Sequence, residues 1–324
     1  MLFYIGGKMN KYGECHLCGK EGKLTFEHLP PEKANNNSEA HAITGDALVR
    51  HIGGIKEPWD FKGVRYKNLQ RGMGAYTLCS QCNNNTGNWY ANDYINFSNS
   101  IGYALNNEID KENTQAIYLK LKEMYPLRII KQIICMFIST MNHKFLNENS
   151  ELREFVLNKE SRNFNSTKYR ISMYFLKQPH NGWSGLNVLL YDDLKTKTVA
   201  YMDLYPIGYI LEIDPTEDKY DCVLDITNMA TDFSYDFKGT MEVTANILER
   251  NTIWVGDFRT KEEIKSQVSI NKQKTIKIIK QQMEELKINE NSYSNIVQEY
   301  LENKISAGEF DLKIEEIKKQ YQYK

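Results

Sequence analysis

Proline and glycine are scarce, 7 and 19 among 324 residues, which excludes collagen-like and linker-like chains. Neither sign of charge predominates: 41 Lys+Arg stand against 42 Asp+Glu, for a formal net charge of −1. That balance argues against a protein that coats nucleic acid over its whole surface and leaves room for a local basic groove. No apolar run reaches the ~18 residues needed to span a bilayer. The most apolar stretch, Ile133 to Met141, is short and lies between Lys131 and His143. The chain opens without a charged segment leading into a long apolar one, so no signal peptide and no membrane association are expected, and the expected location is cytoplasmic. Glycine-rich nucleotide loops of the G-x-x-x-x-G-K-[ST] or G-x-G-x-x-G type are missing. What is present is a globular composition, 41% hydrophobic and 12% aromatic, enough to bury one large core or two ordinary ones.

Cysteine is also sparse, six in all, but four of the six pair: Cys15-His16-Leu17-Cys18 and Cys79-Ser80-Gln81-Cys82. A two-residue gap lets a tight turn present two thiolates to one metal, and two such pairs fit a structural tetrahedral Zn²⁺ site. Gly19 follows the first pair, where the turn calls for positive φ. A disulfide framework is disfavoured in a cytosolic chain, and a redox C-x-x-C would be single. Cys135 and Cys222 stand alone in apolar segments and read as small core residues.

Between the pairs lies Thr25-Phe26-Glu27-His28-Leu29-Pro30-Pro31, and the second pair continues as Cys82-Asn83-Asn84-Asn85-Thr86-Gly87-Asn88-Trp89-Tyr90. A C-x-x-C, an acidic residue with His before an apolar residue and Pro, then L-C-x-x-C-N together resemble the HNH endonucleases, the zinc-knuckle branch of the ββα-metal superfamily. The resemblance covers residues 12 to 92. It implies that Glu27, where Asp is usual, and Asn83 hold a catalytic divalent ion, and that His28 is the general base on water. The chemistry agrees: phosphodiester hydrolysis needs an in-line water, a base of near-neutral pKa and a cation on the scissile phosphate. Carboxylate and amide oxygens suit Mg²⁺ or Mn²⁺. On a strand, Glu27 and His28 point to opposite faces, so a local bend is expected to bring both to one centre. Asn83 also suits a helix N-cap, and Glu27 could pair with Arg71.

One departure from the family stands out. The middle Asn or His normally lies five residues before the third cysteine, a position held here by Gly74. The nearest Asn-Leu is Asn68-Leu69, so either Asn68 serves from a lengthened loop or the role is unfilled. Residues 32 to 75 form an insert read as loops with short strands. His41 and His51 within it read as surface or core residues. Lys62, Arg65, Lys67 and Arg71 give its end a basic stretch, either a solvated face or a nucleic-acid contact beside the knuckles. Trp89 and Tyr90 are expected to pack the helix onto the core, with stacking on a base as the alternative.

Beyond the motif, residues 93 to 112 read as helix and boundary. Ile117, Leu121, Met124, Ile130, Ile133, Ile134, Phe137 and Ile138 suggest helix over 113 to 148 with a break at Pro126, and a short helix follows at 150 to 159. Strands are expected at Tyr169–Leu176, Leu186–Tyr191, Thr198–Leu204, Tyr209–Ile213, Tyr220–Ile226, Thr240–Leu248 and Thr252–Phe258. Thr260 with Glu263 resembles a capping box, opening helices over 261 to 322. The expected fold class is therefore α+β: a zinc-bound HNH domain over 1–95, then helices (113–159), a mainly antiparallel sheet (168–258) and terminal helices (261–322) within a region 96–324. That region lacks a catalytic motif and would bind a protein partner, an activator or a second copy. Chains that join an HNH nuclease to such a region resemble effectors of prokaryotic antiviral defence. The expected function is DNA endonuclease. The alternatives are a catalytically silent, zinc-stabilised nucleic-acid-binding module and a protein-interaction scaffold.

Overall fold

The computed structural model describes residues 3–5, 11–37, 40–43, 67–69, 72–111, 113–177, 181–190, 196–216, 223–248, 261–302, 304–305 and 307–322. In chain order come β1 (Phe3–Ile5), β2 (Tyr12–Glu14), β3 (Glu21–His28), β4 (Ala40–Ile43), β5 (Lys67–Leu69) and β6 (Gly74–Cys79). A long helical rod follows: α1 (Ser80–Thr86), a π-helical turn (Gly87–Ala91) and α2 (Asn92–Asn107). Then come β7 (Ala116–Met124), α3 (Pro126–Thr140), α4 (His143–Glu148), α5 (Ser150–Leu157), β8 (Tyr169–Leu176), β9 (Asn181–Leu190), β10 (Thr196–Leu204), β11 (Ile207–Ile213), β12 (Leu224–Asp225) and β13 (Gly239–Leu248). The chain ends in α6 (Lys261–Glu285), α7 (Ser294–Leu301) and α8 (Ala307–Gln322). Among the described residues no helix is long and apolar enough to cross a membrane.

Two compact units result, residues 1–188 with 197–256, and residues 189–196 with 257–324. The first holds three sheets, in the orders β1-β4-β5, β2-β3-β6, and β7-β13-β8-β11-β10-β9 with β12 on β8. In the large sheet β10–β11, β11–β8, β12–β8 and β13–β7 are antiparallel, and β13–β8 is parallel. This is the mainly antiparallel sheet read from the sequence, in a mixed α and β chain. The expected strands Thr252–Phe258 and the start of Tyr220–Ile226, the cap at Thr260, and Cys222 lie outside the described residues.

The sequence misleads at residues 116–124, which form a strand and not a helix. Ile117, Leu121 and Met124 are buried at a helix-like spacing. Yet Ile117, Leu119 and Leu121 alternate with Tyr118, Lys120 and Lys122, the period of a strand. A register shift opposite Gly239/Met241 and a positive φ of 60° at Glu123 move the last buried residue off that alternation. Pro126 does not break a helix but starts one, at a position where its missing N–H costs nothing.

Helix α3 is the centre of the first unit. Leu127, Ile129, Ile130, Ile133, Ile134, Phe137 and Ile138 are each fully buried, as in a helix enclosed on all sides. Its one buried cation, Lys131, donates to the carbonyls of Phe155 and Asn158 at the end of α5 and lies 3.7 Å from the Phe155 ring centroid. A single core runs from Cys15 and Leu17, through Tyr94, Phe97 and Ile101 of α2, to Tyr209 and Leu211 of β11. It is continuous across residue 95, the boundary read from the sequence. The second unit has its own core of Ile276, Ile279, Met283, Tyr300, Phe310 and Ile314, with Tyr300 and Phe310 stacked at 4.3 Å.

Candidate functional site

The four paired cysteines come together although residues 19 to 78 separate the pairs. The Sγ atoms of Cys15, Cys18, Cys79 and Cys82 all lie within 4.8 Å of one another, and Cys18 and Cys79 are 3.9 Å apart. A tetrahedral zinc–thiolate centre with bonds of about 2.3 Å has sulfur–sulfur edges of about 3.8 Å, so the set fits such an ion. The first pair sits in a turn between β2 and β3, closed by the Gly19 N–H on the Cys15 carbonyl at 2.8 Å. Gly19 has φ 73°, as its place in the turn requires. The second pair spans the junction of β6 and α1, with Cys79 as the helix N-cap. The Cys79 N–H donates to Cys15 Sγ at 3.3 Å. With the Cys82 thiol and backbone N–H groups also directed at it, Cys15 is held well below the ordinary thiol value, while its neighbours Cys18 and Cys82 are pushed up.

Two further residues hold the first knuckle. Arg153 of α5 donates from Nε to the His16 carbonyl at 2.7 Å and from Nη1 to Asn147 at 2.7 Å, and pairs with Glu14 at 3.2 Å. The His16 ring bonds the Ile138 carbonyl at 3.1 Å and meets His143 edge-on at 4.4 Å. Sequence reading missed Arg153, which no local motif marks.

Strands β3 and β6 pair antiparallel, with Thr25 opposite Leu78 and Phe26 opposite Tyr76, so Thr77 is an extra residue in a bulge. The bulge turns the Thr77 carbonyl to the His16 N–H at 2.9 Å and its hydroxyl to Glu27 Oε2 at 3.1 Å. Beyond it the ladder is regular, with Glu27 opposite Ala75 and His28 opposite Gly74. The bend expected to bring Glu27 and His28 to one centre is therefore not there. Glu27 is buried, 5% exposed. It accepts from Ser139 of α3, from Thr77 and, at 3.9 Å, from the Cys135 thiol. Burial raises its pKa to about 7, against the pull of its hydroxyl donors. Cys135 is fully buried, as read from the sequence.

His28, half-buried at the end of β3, lies on the other side of the strand, its ring edge-on to Phe26 at 5.0 Å. Phe26 meets Tyr76 at 5.5 Å, and Lys11 Nζ lies 5.5 Å from the Tyr76 ring centroid. Asn83, inside α1 and not at its cap, donates from Nδ2 to Thr25 Oγ1 at 3.0 Å and to the Phe26 carbonyl at 3.2 Å. Thus His28 and Asn83 are tied to the same stretch of β3, while the Glu27 carboxylate faces the core. Tyr90 is fully buried and donates to the Val156 carbonyl at 2.7 Å, and Trp89 is partly buried against the core, the packing roles expected of them.

Position 74, where the HNH pattern would carry Asn or His, has no room for a side chain. A Cβ on Gly74 would stand 2.1 Å from the Glu27 carbonyl and 2.7 Å from Phe26 Cζ. Asn68 lies in β5, exposed and paired with His41 of β4, in a different sheet. A residue the sequence did not single out, Asn36, braces the region instead. It is fully buried and donates to the carbonyls of Pro30 (2.6 Å) and Met73 (2.8 Å), and accepts from the Met73 N–H (2.7 Å). Gly72, with φ 82°, makes room for it. The Asn35-Asn36-Asn37 run was the available signal. Lys62, Arg65, Arg71 and His51, and the side chains of Lys67 and His41, lie outside the described residues. No family model, curated protein or solved structure matches this chain.

Proposed function

We propose that the chain is a metal-dependent DNA endonuclease of the HNH type, with His28 as the general base on water. One observation carries the reading. The antiparallel pair β3–β6 runs into α1 through a four-cysteine cluster, and this joint holds His28 and Asn83 to one strand. Zinc in the cluster would be structural. A separate Mg²⁺ or Mn²⁺ would act at the phosphate, with the Asn83 amide oxygen among its ligands, since the amide nitrogen is committed to β3. Glu27 could join that ion only by leaving Ser139 and Thr77, so a ligand role for Glu27 requires the buried cluster to open. Gating by later parts of the chain, and a role in antiviral defence, belong to the same proposal.

The burial of Glu27 and the filling of the space at Gly74 favour a second reading, a catalytically silent nucleic-acid-binding module. Supercoiled plasmid with Mg²⁺ or Mn²⁺ separates the two. Cleavage by the wild type, lost in His28→Ala with zinc content unchanged, supports the enzyme. Equal cleavage by both proteins removes His28 from its role. Zinc with nucleic-acid binding and no cleavage favours the silent module.

A further inference from the structure

Resting on the nuclease reading, we infer that the half-exposed face of β3 and β6 beside His28 takes an unpaired nucleic-acid strand, its bases stacking on Tyr76 and Phe26. The contacts form one line: Lys11 over Tyr76, Tyr76 against Phe26, and Phe26 against His28. Three rings in succession on a sheet face, with a cation at one end, match what a splayed-out base and its phosphate require. A base in an intact duplex keeps its flat face inside the stack, where no side chain of a sheet can cover it.

Charge on these strands is complementary to a phosphate backbone. Lys11, beside Tyr76, and Lys20, in the turn before β3, are exposed. Of the three acids between residues 11 and 28, Glu27 is buried and Glu14 is held by Arg153, which leaves Glu21 as the exposed one. Gly74 belongs to the same arrangement: with no side chain opposite His28, the Phe26 ring lies over the strand. A strand running along this line brings a phosphate to His28 while its neighbouring base covers the rings.

The test uses the full-length, zinc-loaded protein without divalent ion and reads binding by anisotropy of labelled 12-mers: single-stranded DNA, the same sequence as duplex, and single-stranded RNA. Tighter binding of single strands than duplex is expected, weakened about tenfold by Tyr76→Ala and retained in Tyr76→Phe. Lys11→Gln should lower the salt slope by about 0.7. The RNA arm identifies the sugar the face accepts. Zinc content and thermal unfolding verify that each variant is folded; if Tyr76→Ala is not, the duplex comparison and Lys11→Gln decide. Duplex bound as well as single strand, or no effect of Tyr76→Ala in a folded protein, overturns the stacking face. Divalent-dependent cleavage of each oligonucleotide is followed in parallel. Cleavage of duplex with no single-strand preference sinks the inference and spares the nuclease. Tyr76-dependent single-strand binding without cleavage does the reverse.

Discussion

The ring of Phe26 stands where a side chain on Gly74 would have to go, 2.7 Å from the Cβ that any other residue would place there. Gly74 is thus a requirement of the cross-strand packing, and its backbone already sits against the Glu27 carbonyl. Gly74→Asn, which puts there the residue usual at that place in HNH endonucleases, should destabilise the fold by about 2 kcal/mol or more. Urea unfolding monitored by tryptophan fluorescence measures it. A neutral result would mean that Phe26 moves freely.

Stripping the metal should loosen both knuckles together, because one sulfur set ties the turn after β2 to the start of α1. About one zinc per chain is expected by elemental analysis, and Cys79→Ser should lose it and lower the melting temperature. Zinc retained at full occupancy in Cys79→Ser would remove Cys79 from the ligand set.

Arg153→Met should weaken the hold on zinc without touching a ligand. The guanidinium fixes the His16 carbonyl and Glu14 on either side of Cys15, and partners of this kind are commonly worth tenfold or more in metal affinity. Competition with a chromogenic chelator reads the change. Unaltered affinity would make Arg153 a brace for α5 alone.

Glu27 gives the stability a specific pH dependence. Its pKa is about 7 in the folded protein against an ordinary 4.5, so the folded state holds the proton more tightly. The stabilisation is full below about pH 4.5 and fades as pH rises through 7. Between pH 5.5 and 8 the wild type should lose about 2 kcal/mol relative to Glu27→Gln. Denaturation curves of both proteins across that window test it, and parallel curves would show a carboxylate already charged at pH 5.5.

Asn36→Ala should cost about 2–3 kcal/mol, since it leaves the Met73 N–H and the buried Pro30 carbonyl without their partner, while the Met73 carbonyl keeps the Leu29 N–H. The measurement is again equilibrium unfolding. A cost near zero would mean that water replaces the amide.

What the sequence disclosed was local or periodic. The knuckles, the helix carrying Asn83 and strand β8 follow from spacing a few residues long. The partners of Glu27 do not: Ser139 is 112 residues away, near the end of a mainly apolar helix. Nothing near Glu27 marks which side of β3 becomes the core, and the bulge at Thr77 is invisible without its pairing partner. Strand β7 misleads for a related reason, because a register irregularity imitates helical spacing. The HNH-like spacing expected from the sequence places residues along the chain, whereas the side each one faces depends on α3, which lies outside that spacing.

The continuous core around α3 bears on how this part of the chain can be handled and inherited. Cutting after residue 95 would take the partners of Tyr90 and Tyr94 away, remove Ser139 and Cys135 from Glu27, and free the first knuckle from Arg153. The motif-bearing third is therefore no transplantable cassette: it travels with residues to about 248 or not at all.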